Sequence, residues 1–233
     1  MPASVRAVID QRQSWYLGHL GSIPIYLHWT FVILVGLVLI PRGEHFSMYW
    51  ASIHLFVLIM AILLHELGHG LAARLMGATG ISITLWALGG LCSSRRDIVH
   101  AGREIFILAC GPLVSLGLWI GSWAALHWAP REFLELPFVL HFLVVTMFVN
   151  ELLFFFNILP IFPLDGGQIV FHTLRSLIDV RIAAKICLVV AILGSIAYYA
   201  YRCYNPETGA VNHDTFLAVM LGFLCYQSFN YLH

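Results

Sequence analysis

Six apolar windows, at about 25–41, 50–76, 102–128, 137–160, 182–202 and 214–232, follow one another along the chain with short polar intervals between them. A run of about 20 apolar residues is what one helical crossing of a bilayer needs, and a backbone that cannot reach water must satisfy its own hydrogen bonds, as a helix does. The windows predict an all-α integral membrane protein of about six transmembrane helices. Composition agrees, because 60% of the residues are hydrophobic and only 10% are charged, against about 25% charged in soluble domains. Six spans use up most of the 233 residues, so one membrane-embedded domain over residues 1–233 is expected, with no appended soluble module.

An even number of spans puts both termini on one side, and the twelve Lys and Arg residues say which. Arg6, Arg12, Arg74, Arg95, Arg96, Arg103, Arg175, Arg181 and Lys185 sort to one side; Arg42, Arg131 and Arg202 sort to the other. The positive-inside rule then predicts cytoplasmic N and C termini. Arg6 and Arg12 precede an apolar run, but no small-residue cleavage site follows it, so the first span is expected to stay in the protein. The formal net charge is zero, which suggests no nucleic-acid partner, and no nucleotide motif is evident. The five cysteines have no metal-ligand spacing and predict neither a disulfide nor a redox role.

The second window ends in His65-Glu66-Leu67-Gly68-His69. Residues four apart on a helix lie about 40° apart around its axis, so His65 and His69 present both imidazoles on one side as a two-point grip for a metal ion. Glu66 lies about 60° from His69 around the same axis and is close enough to take a proton from a water on that metal. Charge sorting puts this run near the cytoplasmic end of its span.

The fourth window ends in Asn157-Ile158-Leu159-Pro160-Ile161-Phe162-Pro163-Leu164-Asp165-Gly166-Gly167. Two prolines each remove a helical N–H, and the paired glycines relax the backbone just after an acid. An acid in such a break is a functional candidate, and it lies at the same cytoplasmic level as the histidines. His65, His69 and Asp165 with an open fourth position holding water describe a catalytic zinc site of one ion rather than a sealed structural one. Between these stretches, residues 81–86 alternate and Gly89-Gly90 follows as a turn before residues 91–94, which predicts a short membrane-associated β-hairpin over about 81–94. Its strand at 81–88 could pair with an unwound substrate segment or could merely seal the cytoplasmic face. The loop 205–209 reads as an ordinary turn.

His65 to His69 continuing through Gly70-Leu71-Ala72-Ala73-Arg74, together with the stretch from Asn157 to Gly167, resembles the site-2 protease family of intramembrane zinc metalloproteases. Gly21 to Trp29, Leu88-Gly89-Gly90 and Cys110-Gly111-Pro112 add to the resemblance. It implies an intramembrane zinc endopeptidase that cuts peptide bonds within or near the transmembrane segments of membrane-protein substrates, with metal-activated water. Zinc would sit on His65, His69 and Asp165, and Glu66 would be the general base. The resemblance also assigns Asn157 to substrate or oxyanion contact; the plainer alternative is that Asn157 satisfies a carbonyl freed by the prolines. Neither the PDZ domain nor the cytoplasmic regulatory domain of many family members is expected here, so the form is minimal. The expected setting is a prokaryotic plasma membrane with the active site towards the cytoplasm, and the expected partners are a membrane protein with a transmembrane helix and the lipid bilayer.

Two other classes compete. A membrane divalent-metal transporter also uses histidine pairs, but its ligands should be strung from one face to the other, whereas these converge at one level. An inactive relative that only holds membrane segments would have no need of Glu66. His28 is a candidate for a place near the metal, His54 lies about 16 Å from His65 along the helix and is too far to be a ligand, and Glu151 is expected to face the bundle interior. Phe154-Phe155-Phe156 reads as packing or lipid-facing surface. The last two windows carry no motif.

Overall fold

The computed structural model describes residues 13–40, 47–87, 89–95, 100–204 and 215–232. In chain order the elements are β1 (Ser14–Leu20), β2 (Ile23–His28), α1 (Phe31–Leu39), α2 (Met48–Leu75), β3 (Thr79–Trp86), β4 (Gly89–Arg95), α3 (Ala101–Trp128), α4 (Arg131–Leu134), α5 (Pro137–Ile158), α6 (Asp165–Leu174), α7 (Val180–Cys203) and α8 (Thr215–Leu232). Among the described residues four helices are long and apolar enough to cross a membrane: α2, α3, α5 and residues 180–201 of α7; a shorter apolar helix runs from Leu217 to Asn230. These follow the second to sixth windows to within a few residues.

The first window is different. Residues 23–28 are strand and only the nine residues of α1 are helical, about 14 Å at 1.5 Å per residue. A short apolar run reads alike as buried strand or buried helix. Here Ile23 and Ile25 are buried while Pro24 and Tyr26 are only half-buried, the alternation of a strand. The expected hairpin is present, but it is half of a four-stranded sheet in the order β1-β2-β3-β4, so the fold is mostly helical rather than all-α. β1 pairs antiparallel with β2, and β3 antiparallel with β4. β2 and β3 run parallel, with Ile25 opposite Ile83 and Leu27 opposite Leu85. Parallel pairing needs a crossover, and α1 and α2 provide it. Because β3 is paired on both sides, the outer strand next to it among the described strands is β4, and residues 81–88 are not at the edge of the sheet. Trp86 pairs with Gly89 and Leu85 with Gly90, so the two glycines are strand rather than turn; Leu88 lies outside the described residues.

The described chain falls into two compact units. One takes in the sheet, α1, α2 and the chain from Cys110 to Phe155; the other takes in residues 100–109 and the chain from Phe156 onward. In the first unit Ile53 and Val57 of α2 form a buried cluster with Val145 of α5, flanked by Trp50, Phe142 and Val149. α2 ends where Gly77 takes φ +85°, with Gly77 N–H donating to Arg74 and Ala78 N–H to the Ala73 carbonyl, a glycine-dependent helix stop. In the second unit Ile161 packs among Ala191 of α7 and Leu217, Leu221 and Leu224 of α8, and the Asp179 side chain caps α7 by accepting from Arg181 N–H. The five cysteines are free thiols. Arg6, Arg12, Arg42, Arg96 and the 205–209 loop lie outside the described residues.

Candidate metal centre

His65, Glu66 and His69 sit in the C-terminal half of α2, and all three are buried. The Nε2 atoms of His65 and His69 lie 3.2 Å apart with the rings nearly perpendicular, at 78°. Two nitrogens each about 2.05 Å from a tetrahedral zinc are about 3.3 Å apart, so the pair is spaced as zinc ligands are. Behind it, His65 Nδ1 is 3.0 Å from the Oγ of Ser115, which is fully buried. If Nε2 serves the metal, Nδ1 carries the hydrogen and donates to Ser115, which fixes both tautomer and ring orientation.

Sequence reading missed Ser115. The signal was there: Gly111 and Ser115 are four apart on α3, hence on one face. A Cβ on Gly111 would overlap His69 Nε2 and come within 2.8 Å of His65 Nε2. Gly68 makes the reciprocal approach, since a Cβ there would be 2.7 Å from the Cys110 carbonyl oxygen. Small residues let α2 and α3 close to this distance. Gly90 does the same for β4, because a Cβ there would overlap Glu66 Cγ and lie 2.8 Å from its Oε1. Glu66 is thus held between its own helix and a strand that has no side chain at that point.

Asp165 opens α6 and is buried with Gly166 and Gly167. Both glycines are helical. They serve close approach rather than relaxed backbone: a Cβ on Gly166 would overlap the Ile158 carbonyl, and one on Gly167 the Phe162 nitrogen. The second unit thus offers a buried carboxylate at Asp165, and the first offers the two buried imidazoles of His65 and His69. Two imidazoles and a carboxylate are the donor set of an open catalytic zinc site, so these residues fit the ion the sequence called for.

The remaining candidates fall elsewhere. Asn157 is half-buried in the last turn of α5. His28 is buried, and the Thr30 hydroxyl lies 2.8 Å from its Nδ1 while also accepting from Ala87 N–H at 3.3 Å. The imidazole is therefore tied to the tip of the β3–β4 hairpin. His54 bonds the Trp50 carbonyl and meets His141, apart from the metal group. The buried polar residue of mid-α5 is Asn150, which donates to the Thr146 carbonyl at 2.8 Å; Glu151 is only half-buried. Phe154 and Phe155 pack on Trp119.

Residues 126–198 match the profile of Peptidase family M50. The chain is 31% identical over 149 residues to a zinc metalloprotease of Methanocaldococcus jannaschii, covering 64% of this chain and 42% of that one. It is 30% identical over 163 residues to a Synechocystis sp. protein whose name proposes a zinc metalloprotease, covering 66% and 42%. The chain thus spans about two fifths of the length of these relatives. Its fold matches the solved site-2 protease from Methanocaldococcus jannaschii with a TM-score of 0.61 and 21% identity, over 94% of this chain and 95% of that one. The metal-carrier alternative finds no support among these relatives. With its apolar helices the protein is an integral membrane protein, similar over part of its sequence to Peptidase family M50 and to these zinc metalloproteases, and similar in fold to a site-2 protease.

Proposed function

We propose that the protein is an intramembrane zinc endopeptidase that hydrolyses peptide bonds within or near the transmembrane segments of membrane-protein substrates. The observation that carries this reading is the 3.2 Å spacing of the His65 and His69 Nε2 atoms beside the buried Glu66. His65, His69 and Asp165 hold one zinc ion. When bound, zinc supplies Lewis acidity that lowers the pKa of a water towards about 7 and polarises the scissile carbonyl. Glu66 takes the proton as the water oxygen bonds to the carbonyl carbon, and returns it to the amide nitrogen as the C–N bond breaks. The Asn157 amide donates to the oxygen on which negative charge develops. Ser115 keeps His65 in the tautomer this chemistry requires.

A helical peptide bond is hydrogen-bonded and shielded, so the substrate must unwind first. An unwound segment can be received beside β4, an outer strand of the sheet, next to Gly90 and therefore beside Glu66. All of residues 1–233 work as one membrane-embedded metalloprotease domain, with the site on the cytoplasmic side of a prokaryotic plasma membrane. Nine of the twelve Lys and Arg residues in the chain intervals assigned to that side favour this orientation.

The deciding assay uses the whole chain in detergent with a single-span reporter substrate. Wild type should cleave it, a chelator should stop cleavage, and Glu66→Gln should lose turnover by at least about a hundredfold, the scale of general acid–base catalysis, while retaining zinc. Cleavage by Glu66→Gln at the wild-type rate would sink the mechanism, and zinc flux into proteoliposomes that survives Glu66→Gln would point to a carrier instead.

A further inference from the structure

The break between α5 and α6 raises an accounting problem. Three consecutive carbonyls, those of Ile161, Phe162 and Pro163, lie outside regular structure in a stretch where Pro160 and Pro163 offer no N–H. Buried carbonyls need donors, and each of the three has one. Leu164 N–H donates to Ile161 at 2.9 Å, the Gln168 side-chain amide donates to Pro163 at 2.8 Å, and the Ser228 hydroxyl donates to Phe162. Two donors are local. The third comes from α8, near the far end of the chain.

Ser228 is not a casual contact. Leu217, Leu221, Leu224 and Ser228 recur at helical spacing along one face of α8, and all four are buried. The three leucines pack in the cluster around Ile161, and α7 closes on the same side chain, where a Cβ on Gly194 would lie 3.4 Å from Ile161 Cγ1. Apolar packing alone would seat α8 here with several tolerated registers. A hydroxyl aimed at one carbonyl selects one of them. A serine in an apolar helix has a default partner, the carbonyl four residues back, and Ser228 does lie 2.9 Å from the Leu224 oxygen. Its hydroxyl also reaches the carbonyl of Phe162, three residues before Asp165.

We infer that α8 acts as a latch on the loop that presents Asp165, and that Ser228 is the positioning residue through which it acts. This gives the last two helices a role: they set the carboxylate's position from behind, as Ser115 sets the imidazole of His65. The inference rests on the reading of Asp165 as a metal ligand.

The test uses the whole chain in detergent with Co2+ as the probe metal. Ser228→Ala should bind Co2+ about 10- to 100-fold more weakly than wild type, the scale seen when a partner behind a metal ligand is lost, and should shift the visible Co2+ bands. The metal-free variant should still fold, with an unfolding temperature lowered only by the unpaired Phe162 carbonyl, and Ser228→Thr, which keeps the hydroxyl, should restore affinity and bands. Wild-type affinity and bands in Ser228→Ala would overturn the inference. So would a lowered metal-free unfolding temperature with unchanged affinity, or a Ser228→Thr variant as weak as Ser228→Ala. Where Ser228→Ala does not fold, Ser228→Cys, similar in size with a weaker donor, takes its place under the same criteria. A wild-type protein that takes up no Co2+, or an Asp165→Ala variant that binds it as tightly as wild type, overturns the metal reading instead.

Discussion

A single methyl group added at Gly111 meets the Nε2 atoms of both histidines, whereas one added at Gly90 meets Glu66. The two substitutions should therefore fail differently. Gly111→Ala should abolish stoichiometric zinc in the purified protein, measured by elemental analysis. Gly90→Ala should retain zinc and lose reporter cleavage by at least about tenfold, by displacing the proposed base. Gly117→Ala, where nothing lies within 4 Å of the new carbon, should leave both unchanged. At this scale the proposed histidine donors were legible because a helix fixes the angle between residues four apart. The glycines around them were not. A glycine in a sequence marks a place where the backbone needs freedom or a neighbour needs room, and the letter does not say which. Gly89-Gly90 read as a turn and Gly166-Gly167 as loosened backbone, although Gly90, Gly166 and Gly167 serve close approach.

The long helices were legible as elements because unbroken apolarity and a length of about 20 residues together distinguish them. β2 was hidden inside an apolar window, since its pairing with β3 depends on residues 58 positions away, and no local pattern reports that. Ile83 lies at the centre of the sheet, fully buried and paired towards both Ile25 and Cys92. Ile83→Ala should cost about 2–5 kcal/mol, the usual range for removing a buried isoleucine side chain, read as a lower thermal unfolding midpoint in detergent. Trp15→Ala on the outer strand β1, where the side chain is 63% exposed, should shift that midpoint far less. A comparable loss at both positions would mean that the sheet is not the organising part of its unit.

Across the whole molecule, His69 and Asp165 are nearly a hundred residues apart in sequence, so an ion held by both ties distant parts of the chain together. A ligand that binds only the folded form adds about 2.7 kcal/mol at a hundred times its dissociation constant. Zinc at that excess should therefore raise the unfolding midpoint of wild type, and Asp165→Ala should lose most of the gain. The parallel pairing of β2 with β3 has a consequence in time. Synthesis delivers β2 first, then α1 and α2 with the histidines and Glu66, and only afterwards β3 and β4. The sheet cannot close before α2 exists in full, and Gly90 emerges after the carboxylate it covers. A nascent chain therefore carries the proposed base without its enclosure and without the aspartate, so the order of translation itself would withhold the proposed hydrolytic capacity until most of the chain has been made.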